Sequence, residues 1–597
     1  MPRIRRAVPF AVAIAFAVPL AAQGGTATSK RAPQDCLPAS SYFAAGFAGL
    51  EACSRALTYH DAAKLVVDFV GSVPQQAREN LDRHLEQAAE HVRRALAQAD
   101  LPAATLRAVL QRPMALGVGR MTIRGMGASV ALLVDEGDAT TQVDALVDWV
   151  VHLAQQYVQV NVGKKQVAGA DCRTLEFADA PTIVLARTRG LFVVTNSEPY
   201  LAEILACERG QPSLAARSTL GVQRKDLGGT PLVEVYSNTA PLLAAFEPFL
   251  PYEAAELGDA LGVRSLGGVY GGIATVGGGT AEMFDLAVEG SAHGMLKAAF
   301  AGPADLAAAE YFGSDTLAFA TARFDPVATF AGFDALLGLL PEQAAKQARS
   351  EMQRELTREF RHAGITAAQF GELLHAIGGT VSVGLSMAKG APVPEGLAVL
   401  SVRDRKALAP WLEKAFEASA KEGVEWKTRD ADGVTIRYCD VPMDGIRLPL
   451  APAIALLDDR LLIGSQPKVI VAALKQREDR AGSLAAVEDF AAQAQRNPNA
   501  SLLVHLRQGL GVARGWRFVE SMFKSFEGVQ EQLGFGPEAL PDQEDIARAA
   551  GTTTFTITVD DHGVRLRTQG NLGLGGLLLG AASLGDAVLQ RAANKVY

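Results

Sequence analysis

The chain has few of the residues that usually carry metal or redox chemistry. Its 597 residues include five cysteines, nine histidines and four tryptophans, and aromatic residues make up 7%. So few cysteines exclude a disulfide-dense scaffold, and no Cys/His group has the spacing of a zinc site. A net charge of -8 argues against general nucleic-acid binding, which needs a basic surface. Hydrophobic residues are plentiful at 49%, against 20% charged, which indicates a globular chain long enough for several domains.

Residues 1–24 have the pattern of a secretory signal peptide. Arg3, Arg5 and Arg6 precede an uncharged run over 7–20, and small residues follow at the expected cleavage site after Ala22 or Gly24. The alternative is a membrane anchor, but the run is shorter than the roughly 20 residues that a spanning helix needs. We therefore predict export to the periplasm or the extracellular space, with residues 25–35 forming a flexible mature N-terminus.

Export would make disulfides possible. The five cysteines are Cys36, Cys53, Cys172, Cys207 and Cys439, and their odd number leaves at least one thiol or an intermolecular bridge. Cys36 and Cys53 flank one short segment, so they form the possible disulfide. A Cys172–Cys207 pair is a second option, and small buried thiols are the alternative to both.

Two halves of the chain repeat each other in order, which predicts an internal duplication. Ser213–Ala216 recurs 270 residues later as Ser483–Ala486. Other collinear matches are Leu191–Thr195 with Leu461–Ser465, Leu232–Val235 with Leu502–His505, and 284–290 with 564–570. The offsets drift between periodic segments, where loops absorb insertions. We predict one domain over 36–302, a second over 303–570, and a Gly-rich apolar C-terminal segment over 571–597.

The sequence patterns of the two copies predict the same series of helices and strands. Each has an early charged amphipathic helix, a strand leading into a helix at 141–157 or 405–421, and then hairpins. A last hairpin closes each copy, with strands near 273–288 and 554–567. Strands joined by tight turns pair antiparallel. The predicted fold class is α+β, with two tandem homologous domains that each contain a mainly antiparallel sheet with helices packed on it.

The second copy opens with Ser314-Asp-Thr-Leu-Ala-Phe319, followed by a helix, a hairpin before Ser465 and the Ser483-Leu-Ala pattern. In these features the chain resembles a group of exported bacterial proteins of unknown function that contain tandem repeated α+β domains. The resemblance is fainter over 36–300, where the Asp-Thr-Leu phrase is missing. It implies the repeated fold and export, and no activity.

Short polar motifs have plainer explanations than catalysis or metal binding. The glycines over 267–279 lack the Gly-Lys-Ser/Thr ending of a phosphate loop and predict a hairpin turn. The other candidates are the turns 430–433 and 560–563, two Ser-x-x-Lys strings at 386–389 and 521–524, and His84 with His91 on one helix face. Each lacks the partner residues that its chemistry needs. We therefore predict no catalytic, cofactor-binding or metal-ligating residue.

The apolar helix stripes either seal each sheet or line a cleft for an apolar ligand. The uncharged stretch 572–584 is too short to span a bilayer and is predicted to pack on the second copy, with interfacial membrane contact as the alternative. The leading functional prediction is an exported, non-catalytic protein with a binding or structural role. Alternatives are a carrier of a lipid or other apolar ligand, and a hydrolase whose site is assembled only in three dimensions. The partner and the oligomeric state stay open.

Overall fold

A computed structural model describes most of the chain. The described residues are 32–65, 75–122, 127–178, 180–246, 265–288, 302–325, 327, 331, 334, 337, 338, 342–361, 367–387, 394–440, 450–515, 542–571 and 573–594. The predicted signal peptide, 1–24, lies outside them, as do residues 25–31 of the predicted flexible segment.

The first half alternates helices with antiparallel strands, as predicted. Its strands are β1 Phe43–Phe47, β2 Met114–Thr122, β3 Gly127–Asp135, β4 Val160–Val167, β5 Ala170–Phe177, β6 Ala180–Thr188, β7 Leu191–Thr195, β8 Pro231–Ser237, β9 Leu266–Val276 and β10 Gly279–Val288. Its helices are α1 Leu50–Thr58, α2 Gln75–Gln98, α3 Ala103–Leu110, α4 Thr140–Tyr157, α5 Glu198–Glu208, α6 Ser218–Leu227 and α7 Thr239–Phe246. Short 3₁₀ helices cover Pro33–Cys36 and Leu214–Ala216.

The second half has the same alternation. Its strands are β11 Thr316–Arg323, β12 Ile377–Ser386, β13 Glu395–Val402, β14 Trp426–Ala431, β15 Val434–Cys439, β16 Ala453–Leu456, β17 Arg460–Gly464, β18 Leu502–Leu506, β19 Thr553–Asp560 and β20 Gly563–Gly570. Its helices are α8 Glu342–Arg361, α9 Ala367–Ala376, α10 Arg405–Lys421, α11 Pro467–Glu478, α12 Glu488–Arg496, α13 Gln543–Ala550 and α14 Leu574–Asn594. The 3₁₀ helices are Leu306–Tyr311, Arg480–Gly482 and Leu484–Ala486.

The strands pair antiparallel in the same order in both halves. The first ten run β4-β5-β6-β7-β3-β2-β1-β8-β9-β10 across the sheet. The second ten run β14-β15-β16-β17-β13-β12-β11-β18-β19-β20. The last strands of the two halves, β10 and β20, also pair with each other over Thr280–Ala287. The result is one continuous antiparallel sheet, rather than a separate sheet in each half.

The recurring Ser-Leu-Ala-Ala sequence occupies the same place in both halves. Ser213 forms an isolated bridge with Pro38, and Ser483 forms one with Gly313. In each half, the leucine that follows donates its backbone N–H to a carbonyl oxygen of the segment just before β1 or β11. The distance from Leu214 N to Leu37 O in the first half is 2.8 Å. Both leucines are buried. This short sequence therefore anchors a 3₁₀ turn against the segment that leads into β1 or β11.

Helices cover both sides of the sheet in the first half. We call the side that carries Met283 and Arg567 the back face, and the side that carries Phe284 and Leu566 the front face. The back face holds two large apolar clusters, one in each half, packed beneath α5 and α6 or beneath α11 and α12. The front face of the first half packs against α1, α3, α4 and α14 in a third cluster.

The C-terminal helix α14 packs on the first half of the chain, so the prediction that it packs on the second half is wrong. Leu579 and Ala582 join the front-face cluster of the first half. Two ion pairs hold the helix there, from Arg107 to Asp586 and from Arg591 to Asp82. The physical reason is the β10–β20 pairing. Because β20 lies beside β10, the helix that follows it begins on the first half's side of the sheet.

Candidate functional site

An unbroken row of apolar residues crosses the front face. Residues paired directly across an antiparallel sheet point to the same side, so the register defines the row. Its members are Leu185, Val194, Leu132, Leu116, Ala45, Val235, Gly271, Phe284, Leu566, Ile557, Leu502, Ala322, Val381, Leu400, Leu461 and Leu456. The row passes through the β10–β20 junction without a charged residue.

The part of this row around the junction is open to solvent. Phe284 is 44% exposed and Val235 is 37% exposed, while none of the row members from Gly271 to Leu400 is fully buried. In the next row on the same face, Val383 pairs with Ala320 and Ala398 and is 46% exposed. Large apolar side chains are rarely left together in contact with water unless something binds there. We call the stretch from Val235 to Val383 the apolar strip.

The first-half end of the row is covered. Leu132 and Val194 pack against the cluster that contains α1, α3, α4 and α14. The apolar strip therefore begins where these helices end and continues into the second half. Beyond the apolar strip, Leu385, Leu506 and Ile463 are further exposed apolar side chains on the front face of the second half.

A carboxylate and a helix start mark one edge of the apolar strip. Glu282, next to Phe284 on the same face of β10, accepts a hydrogen bond from the backbone N–H of Gly575 in the first turn of α14. Burial raises the pKa of the Glu282 carboxyl, and this hydrogen bond opposes the rise. A carboxylate suits this position because the N-terminal end of a helix is electropositive. Glu282 thus fixes the start of α14 beside the strip.

A buried Asp–His–Thr group lies on the back face of the second half. His505 Nδ1 is 2.8 Å from Thr554 Oγ1, and His505 Nε2 is 3.7 Å from Asp489 Oδ2. Burial raises the pKa of Asp489, but hydrogen bonding and attraction from His505 with Arg507 outweigh it, so the net pKa is lowered. Only 1% of His505 and 3% of Thr554 are exposed. A nucleophile must reach its substrate, so this group has the geometry of a packing interaction.

The short motifs lie in the predicted turns and strand ends, except that the glycine-rich stretch 267–279, predicted to be a hairpin turn, is mostly strand and forms a turn only at 277–278. Residues 267–279 form most of β9 and the turn into β10, Asp432 and Gly433 form the β14–β15 turn, and 561–562 the β19–β20 turn. Ser386 ends β12, while 521–524 lies outside the described residues. His84 and His91 are exposed on α2. In the described part of the chain, no three His, Cys, Asp or Glu side chains gather as metal ligands would.

The possible Cys36–Cys53 disulfide is not formed in the structure. Cys36 belongs to the back-face cluster and Cys53 to the front-face cluster of the first half, so the sheet separates the two sulfur atoms. Both side chains are buried. They act as small apolar groups in the core, which was the alternative considered from the sequence.

The residues of the apolar strip were not identified as a site from the sequence. One signal was present. The strand Leu502–Leu506 is apolar at positions on both faces, which predicts a strand covered on both sides. Only the structure shows that its front side is partly uncovered.

Comparisons with protein-family models, with curated proteins and with solved structures gave no match to this chain. Across the described residues, no helix has both the length and the apolar character that crossing a membrane requires.

Proposed function

We propose that this protein is an exported, non-catalytic binding protein that holds an extended apolar ligand, such as an acyl chain, along the apolar strip. The exposed, in-register apolar row across the β10–β20 junction carries this proposal. Burial of apolar surface contributes about 25 cal/mol per Å². A ligand that covers Phe284, Val235 and Val383 therefore gains affinity from surface that water now contacts.

The dimensions suit a lipid-sized ligand. The strip crosses eight strands, from β8 through β9, β10, β20, β19, β18 and β11 to β12. With neighbouring strands about 4.8 Å apart, its length is about 34 Å. This is close to the roughly 30 Å thickness of the hydrocarbon core of a bilayer. Acyl chains of membrane lipids are shorter than the strip and fit along it.

We further infer that the chain consists of two homologous units, 36–302 and 303–570, derived by duplication. The shared strand order and the two bridged Ser-Leu-Ala-Ala turns support this inference. Two copies related in this way meet through the same strand, β10 in one and β20 in the other. The apolar strip at their junction would then have arisen with the duplication itself.

The export part of the proposal rests on residues 1–24, which match a signal peptide, and on the resemblance to exported bacterial proteins of unknown function. N-terminal sequencing of the protein from cell fractions tests it. We expect a mature protein in the periplasm or medium that begins near residue 23 or 25. A cytoplasmic product that keeps its first residues would contradict export.

Binding is tested with a fluorescent fatty acid and two charge-introducing variants. Val383→Glu places a carboxylate on the apolar strip, where an apolar ligand would have to bury it. Val222→Glu is the matched control, because Val222 is 53% exposed on α6, on the other side of the sheet. We expect the wild type and V222E to bind equally, and V383E to bind at least tenfold more weakly, about 1.4 kcal/mol.

Equal binding by V383E and the wild type would overturn the apolar strip as the binding site. No binding by the wild type, together with no lipid retained in native mass spectrometry, would overturn the proposed function. Circular dichroism of each variant checks that the fold is retained.

A further inference from the structure

A second feature of the junction lies on the back face of β20. Arg565, Arg567 and Gln569 alternate along this strand, so their side chains point to the same side, opposite to Phe284. Asp226 of α6 approaches them from the first half, with 2.9 Å from Arg565 Nη1 to Asp226 Oδ2. Arg496 ends α12 of the second half. We call this group of side chains on the back face, beside α6 and the end of α12, the back cleft.

Several buried polar atoms of the back cleft have no hydrogen-bond partner. Within the described part of the chain, Nε of Arg565, Nε of Arg567, Oε1 of Gln569 and Oε1 of Gln223 are buried and make no hydrogen bond. Native proteins satisfy most buried polar atoms, and a group of exceptions indicates water, an ion or a ligand at that place. Two of these atoms, the Nε atoms of Arg565 and Arg567, are donors that an anion could accept from, whereas the two glutamine oxygens need a donor such as water.

The arginines of the back cleft lie near the carboxylates of Asp226, Asp285 and Asp560, and Arg565 pairs directly with two of these. Asp226 pairs with Arg565, and Asp285 lies 3.6 Å from Nε of Arg565. Asp285 is buried and accepts a hydrogen bond from Gln223 at 2.7 Å. Burial raises the pKa of the Asp285 carboxyl, and the charges of Asp226 and Asp560 add to the rise, while Gln223 and Arg565 oppose it. Arg567 and Arg496 are left without a carboxylate within 4 Å in the described residues.

Arg567 is the central residue of this group. It is half-buried and has no hydrogen bond or ion pair among the described residues. Burial lowers the pKa of Arg567, repulsion from Arg496 and Arg565 adds to that effect, and attraction to Asp226 opposes it. A Cβ at Gly228 would lie 3.2 Å from Nη2 of Arg567, so the glycine at the end of α6 allows the guanidinium to lie close to the helix end. A partly desolvated cation without a direct ion pair is costly, and an anion bound beside it would reduce that cost.

We propose that the back cleft binds an oxyanion of the phosphate class, with the guanidinium of Arg567 as its main contact and Arg496 as a second cation. The planar fork of arginine donates two parallel hydrogen bonds to oxygens of a phosphate or carboxylate group. The site is independent of the apolar strip, because the two lie on opposite faces of the same strands.

The test measures thermal unfolding and calorimetric binding of the full chain with inorganic phosphate, against sodium chloride at the same ionic strength. We expect phosphate to raise the Tm of the wild type more than chloride does. Arg567→Gln removes the charge and most of the fork, and we expect phosphate binding to weaken about tenfold or more. Arg548→Gln is the matched control, because Arg548 lies on α13 with its side chain 71% exposed. It should bind phosphate as the wild type does.

Arg567→Met separates binding from structure. Without phosphate, this variant loses an unpaired charge and should be at least as stable as the wild type, while it gains nothing from phosphate. A purely structural role for Arg567 predicts the reverse, a lower Tm without phosphate and an unchanged phosphate effect. That result, or a phosphate effect in the wild type no larger than that of chloride, would overturn the proposal.

Discussion

The docking of α14 on the first half gives a prediction that can be tested on one helix. Leu579 is 3% exposed and packs in the cluster that contains Leu50 and Cys53. Replacing a buried leucine by alanine removes its burial and leaves a cavity, at a cost of about 2–5 kcal/mol. Alanine is the best helix former, so Leu579→Ala measures packing and not helix propensity.

The same helix supplies the control. Leu584 is 56% exposed, five residues further along α14. Leu584→Ala is expected to change the free energy of unfolding by no more than about 0.5 kcal/mol. Urea unfolding followed by circular dichroism measures both variants under the same conditions. If Leu579→Ala costs no more than Leu584→Ala, α14 does not pack on the body of the protein and our account of it is wrong.

A double-mutant cycle identifies the half that α14 contacts. Arg107 Nε is 2.8 Å from Asp586 Oδ1, and both side chains are largely shielded from solvent. Arg107→Ala and Asp586→Ala should each destabilise the protein, and the double variant should cost less than their sum. Additive costs would refute the contact between α14 and α3.

Two further predictions concern buried titratable groups. The His60 ring has no hydrogen-bond partner among the described residues, and burial lowers its pKa from 6.5, partly opposed by Asp61. As the pH falls, His60 is protonated in the unfolded chain before it is protonated in the folded protein. The contribution of His60 to the free energy of unfolding should therefore be constant above about pH 6.5 and fall as the pH drops towards the lowered pKa. His60→Phe should flatten this part of the urea-midpoint profile, whereas His91→Phe, on an exposed ring, should not; a profile that H60F leaves unchanged would refute the assignment. Burial raises the pKa of Cys53 to about 12, so its thiol should resist a thiol reagent at pH 8 until urea is added. Rapid labelling of Cys53 in the native protein, followed by mass spectrometry, would contradict its burial.

Much of the local structure could be predicted because periodicity and turn residues act over a few positions. The helices predicted over 141–157 and 405–421 correspond to Thr140–Tyr157 and Arg405–Lys421. The hairpins also occur where glycines and aspartates allow a tight turn. The Ser213 and Ser483 segments match because each anchors the same buried leucine turn. Side-chain patterns of this kind do not depend on distant parts of the chain.

Register was less predictable than element order. The sequence match aligned Val235 with His505, but the structure pairs Ala44 with Tyr236 and Phe319 with His505. Ala44 follows the bridged residue Pro38 at the same distance along the chain as Phe319 follows the bridged residue Gly313. Ala44 and Phe319 are therefore equivalent positions, and so are the residues they pair with, Tyr236 and His505. A shift of one residue moves a side chain to the other face of a sheet. Sequence identity between such short segments is too low to exclude that shift.

The sequence by itself determined the mixed helix and strand content, the antiparallel hairpins and the recurring element order, because these follow from local patterns of apolar and turn residues. The tertiary structure decided that β10 pairs with β20, that α14 packs on the first half, and that Phe284 and Val383 remain exposed while Arg567 makes no hydrogen bond or ion pair with any residue that the structure describes. Each of these depends on which distant segments meet across the sheet. Both candidate sites lie at that junction, where no local pattern in either half could reveal them.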